Sequence, residues 1–153
     1  YLRPKVGVGV FIFNGNKKNG DEEITRQIIE RISSNQVFNF EIIEYNPSVF
    51  ETWKRISECN VVISTRLHAS IFACFAQIPF FLVEYHRKCS DFLESVGYDS
   101  NFRIYDAEFN GMLIANKIVS IINSNENFVY PKFINESVEL ALGSFTKTSS
   151  FFR

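Results

Sequence analysis

Five short apolar runs punctuate this chain, and a stretch of helical spacing follows each of them. The runs are "KVGVGVFIF" (5–13), "FEIIE" (40–44), "NVVIS" (60–64), "PFFLV" (79–83) and a shorter one from Asn101 to Tyr105. The intervening segments repeat apolar residues every three or four positions, as Ile24, Ile28, Ile29 and Ile32 do between Asp21 and Ser33. Further helices are predicted from Pro47 to Glu58, His68 to Gln77, Lys88 to Val96 (closed by Gly97), Glu108 to Asn123 and Pro131 to Leu142. Strands that alternate with helices predict an α/β fold: a parallel sheet covered by helices on both faces. The strands lack a polar side, which suits parallel strands buried on both faces.

The chain has 153 residues, enough for one domain with its own core. Its 16 Lys and Arg against 17 Asp and Glu argue against a nucleic-acid partner. The three cysteines, Cys59, Cys74 and Cys89, show no paired spacing and read as free thiols of a reducing compartment. No metal-ligand pattern is present, so no metal is expected. Gly7-x-Gly9 lies inside a strand and lacks the third glycine of a dinucleotide fingerprint. No signal peptide or membrane span is visible. The chain opens on Tyr1 and its single methionine is Met112, so it is read as part of a longer protein. The Ser/Thr-rich segment 143–153 is expected to be a flexible or docking tail after a domain spanning 1–142.

The oily stretch from Ile63 to Leu93 interrupts itself twice, with Arg66-Leu67-His68 and with Glu84-Tyr85-His86-Arg87-Lys88. Both interruptions follow a predicted strand and open a predicted helix. In an open parallel sheet, ligands bind beyond the carboxyl ends of the strands. A helix N-terminus there offers unpaired N–H groups and a positive dipole end. A guanidinium at Arg66 and an imidazole at His68 would make it an anion site, with His68 also able to carry a proton. Lys88 and Tyr85 stand at the neighbouring turn on the same edge. The loop from Asn14 to Asn19 after the first strand offers further donors, Asn14 among them. Ordinary readings stand beside these: Arg66 pairing with a carboxylate, Ser64 or Thr65 as a helix cap, Lys88 as a solvated helix start, and Cys89 as a structural thiol.

The segment Val61 to Tyr98 resembles the polysaccharide pyruvyl transferase family. That family carries an apolar strand, Arg-Leu-His opening an apolar helix, then a proline, a strand, a tyrosine and a lysine. Here those positions are Arg66-Leu67-His68, Pro79, Tyr85 and Lys88. The resemblance implies one half of a GT-B-like enzyme with two Rossmann-like domains, this chain being the C-terminal, donor-binding one. It implies phosphoenolpyruvate as donor substrate, with no further cofactor. The acceptor would be a sugar of a cell-surface polysaccharide or its lipid-linked precursor, and the product a pyruvate ketal. By position, Arg66 and His68 would bind the donor and serve catalysis, with Tyr85 and Lys88 as further donor-side contacts; Asn14 joins them as a substrate contact only through its loop after the first strand. The N-terminal domain of the same protein would be a required partner, so this chain alone is expected to be inactive. Such an enzyme is expected in the cytoplasm or peripheral to the inner membrane face. Two other readings share this edge: a glycosyltransferase domain holding a nucleotide-sugar diphosphate, and a non-catalytic anion-binding domain of the same fold.

Overall fold

A computed structural model describes residues 7–16, 18, 20–33, 39–108, 110–124 and 127–149. The chain divides into two compact units, 1–52 and 53–153. The protein is α/β, and among the described residues every strand pairing is parallel.

In the first unit, β1 (Gly7–Phe11) pairs with β2 (Asn39–Ile43), in register from Gly7 opposite Asn39 to Phe11 opposite Ile43. Helix α1 (Glu22–Ser33) crosses between them and opens on two acids, Glu22 and Glu23, which suit its positive end. The loop before α1 closes on itself. Asn14 N–H donates to Asp21 Oδ2 at 3.1 Å, and Asn14 Oδ1 accepts from Asn16 N–H at 3.1 Å. Lys5 and Val6, expected at the start of the first strand, lie outside the described residues. Helix α2 (Val49–Ser57) runs across the boundary between the units.

In the second unit, β3 (Val62–Ser64), β4 (Phe80–Glu84) and β5 (Ile104–Tyr105) form a ladder in that order. Helix α3 (Leu67–Phe75) links the first pair, and α4 (Arg87–Ser95) leaves the end of β4. β4 is the one strand buried along its whole described length, as the central strand of such a ladder must be. Phe80, Phe81 and Leu82 form the core with Ile56, Cys74, Leu93 and Val96. An aromatic cluster continues it: the Tyr98 ring lies 4.8 Å from Phe80, and Phe102 4.9 Å from Phe128. The buried Tyr98 hydroxyl donates to the Phe80 carbonyl, so its polar end is satisfied. Gly97 ends α4 at φ +65°, as its position in the sequence predicts. Burial pushes the Cys74 thiol up to about 12, and all three cysteines are free.

The ladders differ from the expected elements at three places. The strands form two separate ladders instead of one five-stranded sheet. Asn101 to Tyr105 is not one strand: Asp99 accepts from Asn101 N–H at 2.8 Å, which winds Ser100–Phe102 into a 3-10 turn and leaves two residues for β5. After α5 (Gly111–Ile122), helix α6 (Ile134–Ser149) continues into the segment expected as a tail. Nothing after Leu142 stops it, since a single Gly143 costs a helix only about 1 kcal/mol and no proline follows. Residues 150–153 of that segment lie outside the described residues.

One core group is out of place. The Ser70 hydroxyl on α3 is fully buried and has no hydrogen-bond partner among the described residues. An unpaired buried hydroxyl is destabilising, and alanine is the better helix former. Ser70→Ala is expected to raise stability by about 1 kcal/mol, read as a higher denaturant midpoint at unchanged m-value.

Candidate functional site

The carboxyl ends of β3 and β4 lie side by side, with Ser64 opposite Leu82, so the turns into α3 and α4 share one edge. The two turns are built differently.

At the end of β3 the buried Ser64 braces the chain. Its hydroxyl accepts from Arg66 N–H at 2.8 Å and donates to the Arg66 carbonyl at 2.5 Å. Ser64 is therefore no helix cap; it locks the backbone of the residue that is. Arg66 occupies the N-cap position in extended conformation, and its side chain makes no cap hydrogen bond to the helix. Arg66 and His68 are exposed, while Leu67 between them is half-buried and Ala69 and Ser70 are buried. The first turn of α3 thus turns a cationic side outward, and the helix end that carries it has no acidic residue. Such an end can accept an anion.

At the end of β4 the sequence read five polar residues as one cationic interruption, and the structure separates them. Glu84 is the last residue of β4, and its side chain is 1% exposed. Arg103, just before β5, grips it with a fork: Nε donates to Oε1 at 2.8 Å and Nη2 to Oε2. Ser90 Oγ on α4 donates to the same Oε2 at 2.7 Å. Glu94 lies 3.6 Å from the other guanidinium nitrogen, and Arg103 also faces the Tyr105 ring. His86 is the N-cap of α4, its Nδ1 accepting from Lys88 N–H at 3.2 Å. Arg87 pairs with Asp91 at 3.6 Å on the exposed side of the helix. Tyr85 and Lys88 are left on the surface, with the ammonium 5.9 Å above the ring.

Burial would push the Glu84 carboxyl up. The hydrogen bonds from Arg103 and Ser90, with the Arg103 charge, outweigh it and hold the group below its ordinary 4.5. The same pairing raises Arg103 further above the arginine range. A carboxyl depressed by folding stabilises the protein above its unfolded value and loses that contribution as pH falls through its folded value. Melting temperature is therefore expected to fall on acidification below about pH 4.5. Glu84→Gln should flatten that part of the profile.

Of the residues singled out by sequence, Arg66, His68, Tyr85 and Lys88 belong to the second unit, on the edge shared by β3 and β4. Asn14 belongs to the first unit, where its Oδ1 is engaged in the turn before α1. Arg103 and Ser90 escaped sequence reading. The available signal was Glu84 itself, a carboxylate at the end of an oily strand that could not stay unpaired; its partner comes from 19 residues further on. Among the described residues, no group of three His, Cys, Asp or Glu stands together to hold a metal, and no helix is long and apolar enough to cross a membrane.

The family model of polysaccharide pyruvyl transferases matches residues 2–87 of the 153. The chain belongs to the polysaccharide pyruvyl transferase family. The matched segment of this pyruvyl transferase chain runs from the start of the first unit through both turns, so it contains Asn14, Arg66, His68 and Tyr85. Lys88 falls one residue beyond it, and Arg103 well beyond. No curated protein and no solved structure matches the chain.

Proposed function

We propose that this chain is the donor-binding part of a GT-B-like pyruvyl transferase that moves the enolpyruvyl group of phosphoenolpyruvate onto sugar hydroxyls. The acceptor is a cell-surface polysaccharide or its lipid-linked precursor. The observation that carries the reading is the first turn of α3, where exposed Arg66 and His68 flank a helix end that Arg66 does not cap with its own side chain. Family membership supplies the reaction class, and the cationic edge suits a donor with two anionic groups.

The chemistry adds one sugar hydroxyl to C2 of phosphoenolpyruvate while C3 takes a proton. Phosphate leaves C2, and the second hydroxyl closes on it to complete the ketal. Both hydroxyl protons go to bases, and one proton is supplied to carbon by an acid. Arg66 forks onto the donor's phosphate or carboxylate, and the N–H groups at the start of α3 stabilise the charge that grows on the leaving phosphate. His68 is a proton carrier beside them. Lys88, stacked on Tyr85, is a second cation on the donor side.

The test is acceptor-dependent release of inorganic phosphate from phosphoenolpyruvate by the full-length protein, with the ketal sought on the glycan by mass. Release with a mass gain of one pyruvate ketal supports the reading. Turnover of a nucleotide sugar in its place, with a mass gain of one sugar, would replace it with a glycosyltransferase.

A further inference from the structure

Tyr105 ends β5, and its backbone stands opposite Glu84 at the carboxyl end of β4. It therefore lies on the edge that carries Arg66, His68, Tyr85 and Lys88, at the far side of the ladder from β3. Neighbouring strands lie about 4.8 Å apart, so the ends of β3 and β5 are separated by about 10 Å. That span lets a donor and a sugar ring meet along one edge.

Tyr105 is 47% exposed, yet its ring is held. The Arg103 guanidinium lies over the ring, 5.3 Å from its centre, and is itself fixed by the fork on Glu84. A flat ring ordered before binding offers contact area at low entropic cost. The charge nearby differs from that around Arg66. The turn that follows Tyr105, Asp106–Glu108, is exposed, and its two carboxylates have no ion pair among the described residues. The first turn of α3, by contrast, has no acid. Like charges repel, so the β5 end disfavours an anionic donor and accepts a neutral molecule whose hydroxyls can donate to carboxylates. A sugar ring has both parts needed there: a face of C–H groups that packs on an aromatic ring, and a rim of hydroxyls.

We infer that Tyr105 is the stacking residue for the acceptor sugar, so that one edge of this chain holds acceptor as well as donor. The inference rests on the reading of the edge as a donor site and goes beyond it in placing the acceptor.

The test uses the full-length protein and the variants Tyr105→Phe and Tyr105→Leu. Methyl glycosides of glucose, galactose, mannose, N-acetylglucosamine and N-acetylmannosamine are the probes, with binding read by saturation-transfer NMR. Phosphoenolpyruvate is titrated calorimetrically beside them. The native protein is expected to bind at least one glycoside, and Tyr105→Phe to bind it within about twofold. Tyr105→Leu still covers Arg103 with apolar bulk but offers no flat ring, so its glycoside affinity should fall about tenfold. Phosphoenolpyruvate affinity should stay within about twofold in both variants.

A second measurement does not depend on Tyr105→Leu folding. Nuclear Overhauser contacts are expected between the glycoside C–H protons and the Tyr105 ring, whose signals are assigned by their loss in Tyr105→Phe. Their absence overturns the inference. Glycoside binding that is unchanged in Tyr105→Leu, or absent from the native protein, also overturns it and leaves the donor-site reading standing where phosphoenolpyruvate binds. An equal loss of glycoside and phosphoenolpyruvate in Tyr105→Leu marks a structural role and overturns it too. Native protein that binds no phosphoenolpyruvate overturns both.

Discussion

Arg103→Met is expected to destabilise the fold by about 3 kcal/mol. The reason is the residue it abandons more than the pair it breaks. Glu84 is 1% exposed at the end of the central strand, and among the described residues it accepts from Ser90 besides Arg103. A carboxylate left there without its guanidinium must stay charged in an apolar place or take up a proton. The cost should therefore shrink as pH falls, since burial now raises the Glu84 carboxyl and acid neutralises it more easily. Arg103→Lys should recover part of the loss, because an ammonium restores charge but not the two-pronged contact. Glu84→Gln/Arg103→Met should lie within about 1.5 kcal/mol of the native protein, as replacing both partners of a buried pair often does. Chemical denaturation of the four proteins at pH 7 and pH 4 checks this. Equal stability of Arg103→Met and the native protein would show that the pair contributes nothing.

Arg66→Ala should behave in the opposite way: little change in stability, a large change in binding. Arg66 is exposed and its side chain does not cap α3. Its backbone is held by the Ser64 hydroxyl, which the substitution leaves in place. Stability should stay within about 0.5 kcal/mol. Binding of phosphoenolpyruvate should weaken by about ten- to a hundredfold, since hydrogen bonds to a charged group are worth about 1.5–3 kcal/mol. Ser64→Ala should instead lower stability and binding together, because it removes the hydroxyl that braces the turn. Melting curves run beside each titration separate the two. Arg66→Ala that binds phosphoenolpyruvate as the native protein does would remove Arg66 from the site.

The order of elements was legible because each strand is a short β-branched or aromatic run and each helix repeats at three or four residues. β4 was plain in "PFFLV", and Gly97 marked the end of α4. What was not legible depends on partners distant in sequence or on side-chain chemistry that several roles share. Asn101–Tyr105 is as apolar as a strand, but an Asp99 hydrogen bond turns its first half into a 3-10 turn. The Glu84 to Lys88 run reads as one polar interruption, yet its members have four different jobs. Glu84 is buried against Arg103, His86 caps α4, Arg87 pairs along its helix, and Tyr85 and Lys88 remain outside. Proximity in sequence said that charge gathers at this edge. Only geometry said which charge is committed to the fold and which is not.

The central claim is that the edge formed by the turns after β3 and β4 holds phosphoenolpyruvate. The most direct test is calorimetric titration of the full-length protein with phosphoenolpyruvate beside inorganic phosphate, UDP and GDP. The account predicts saturable binding of phosphoenolpyruvate, tighter than phosphate and either nucleotide, and weakened by Arg66→Ala and His68→Ala in proteins that melt as the native one does. Tighter binding of UDP or GDP than of phosphoenolpyruvate would contradict it.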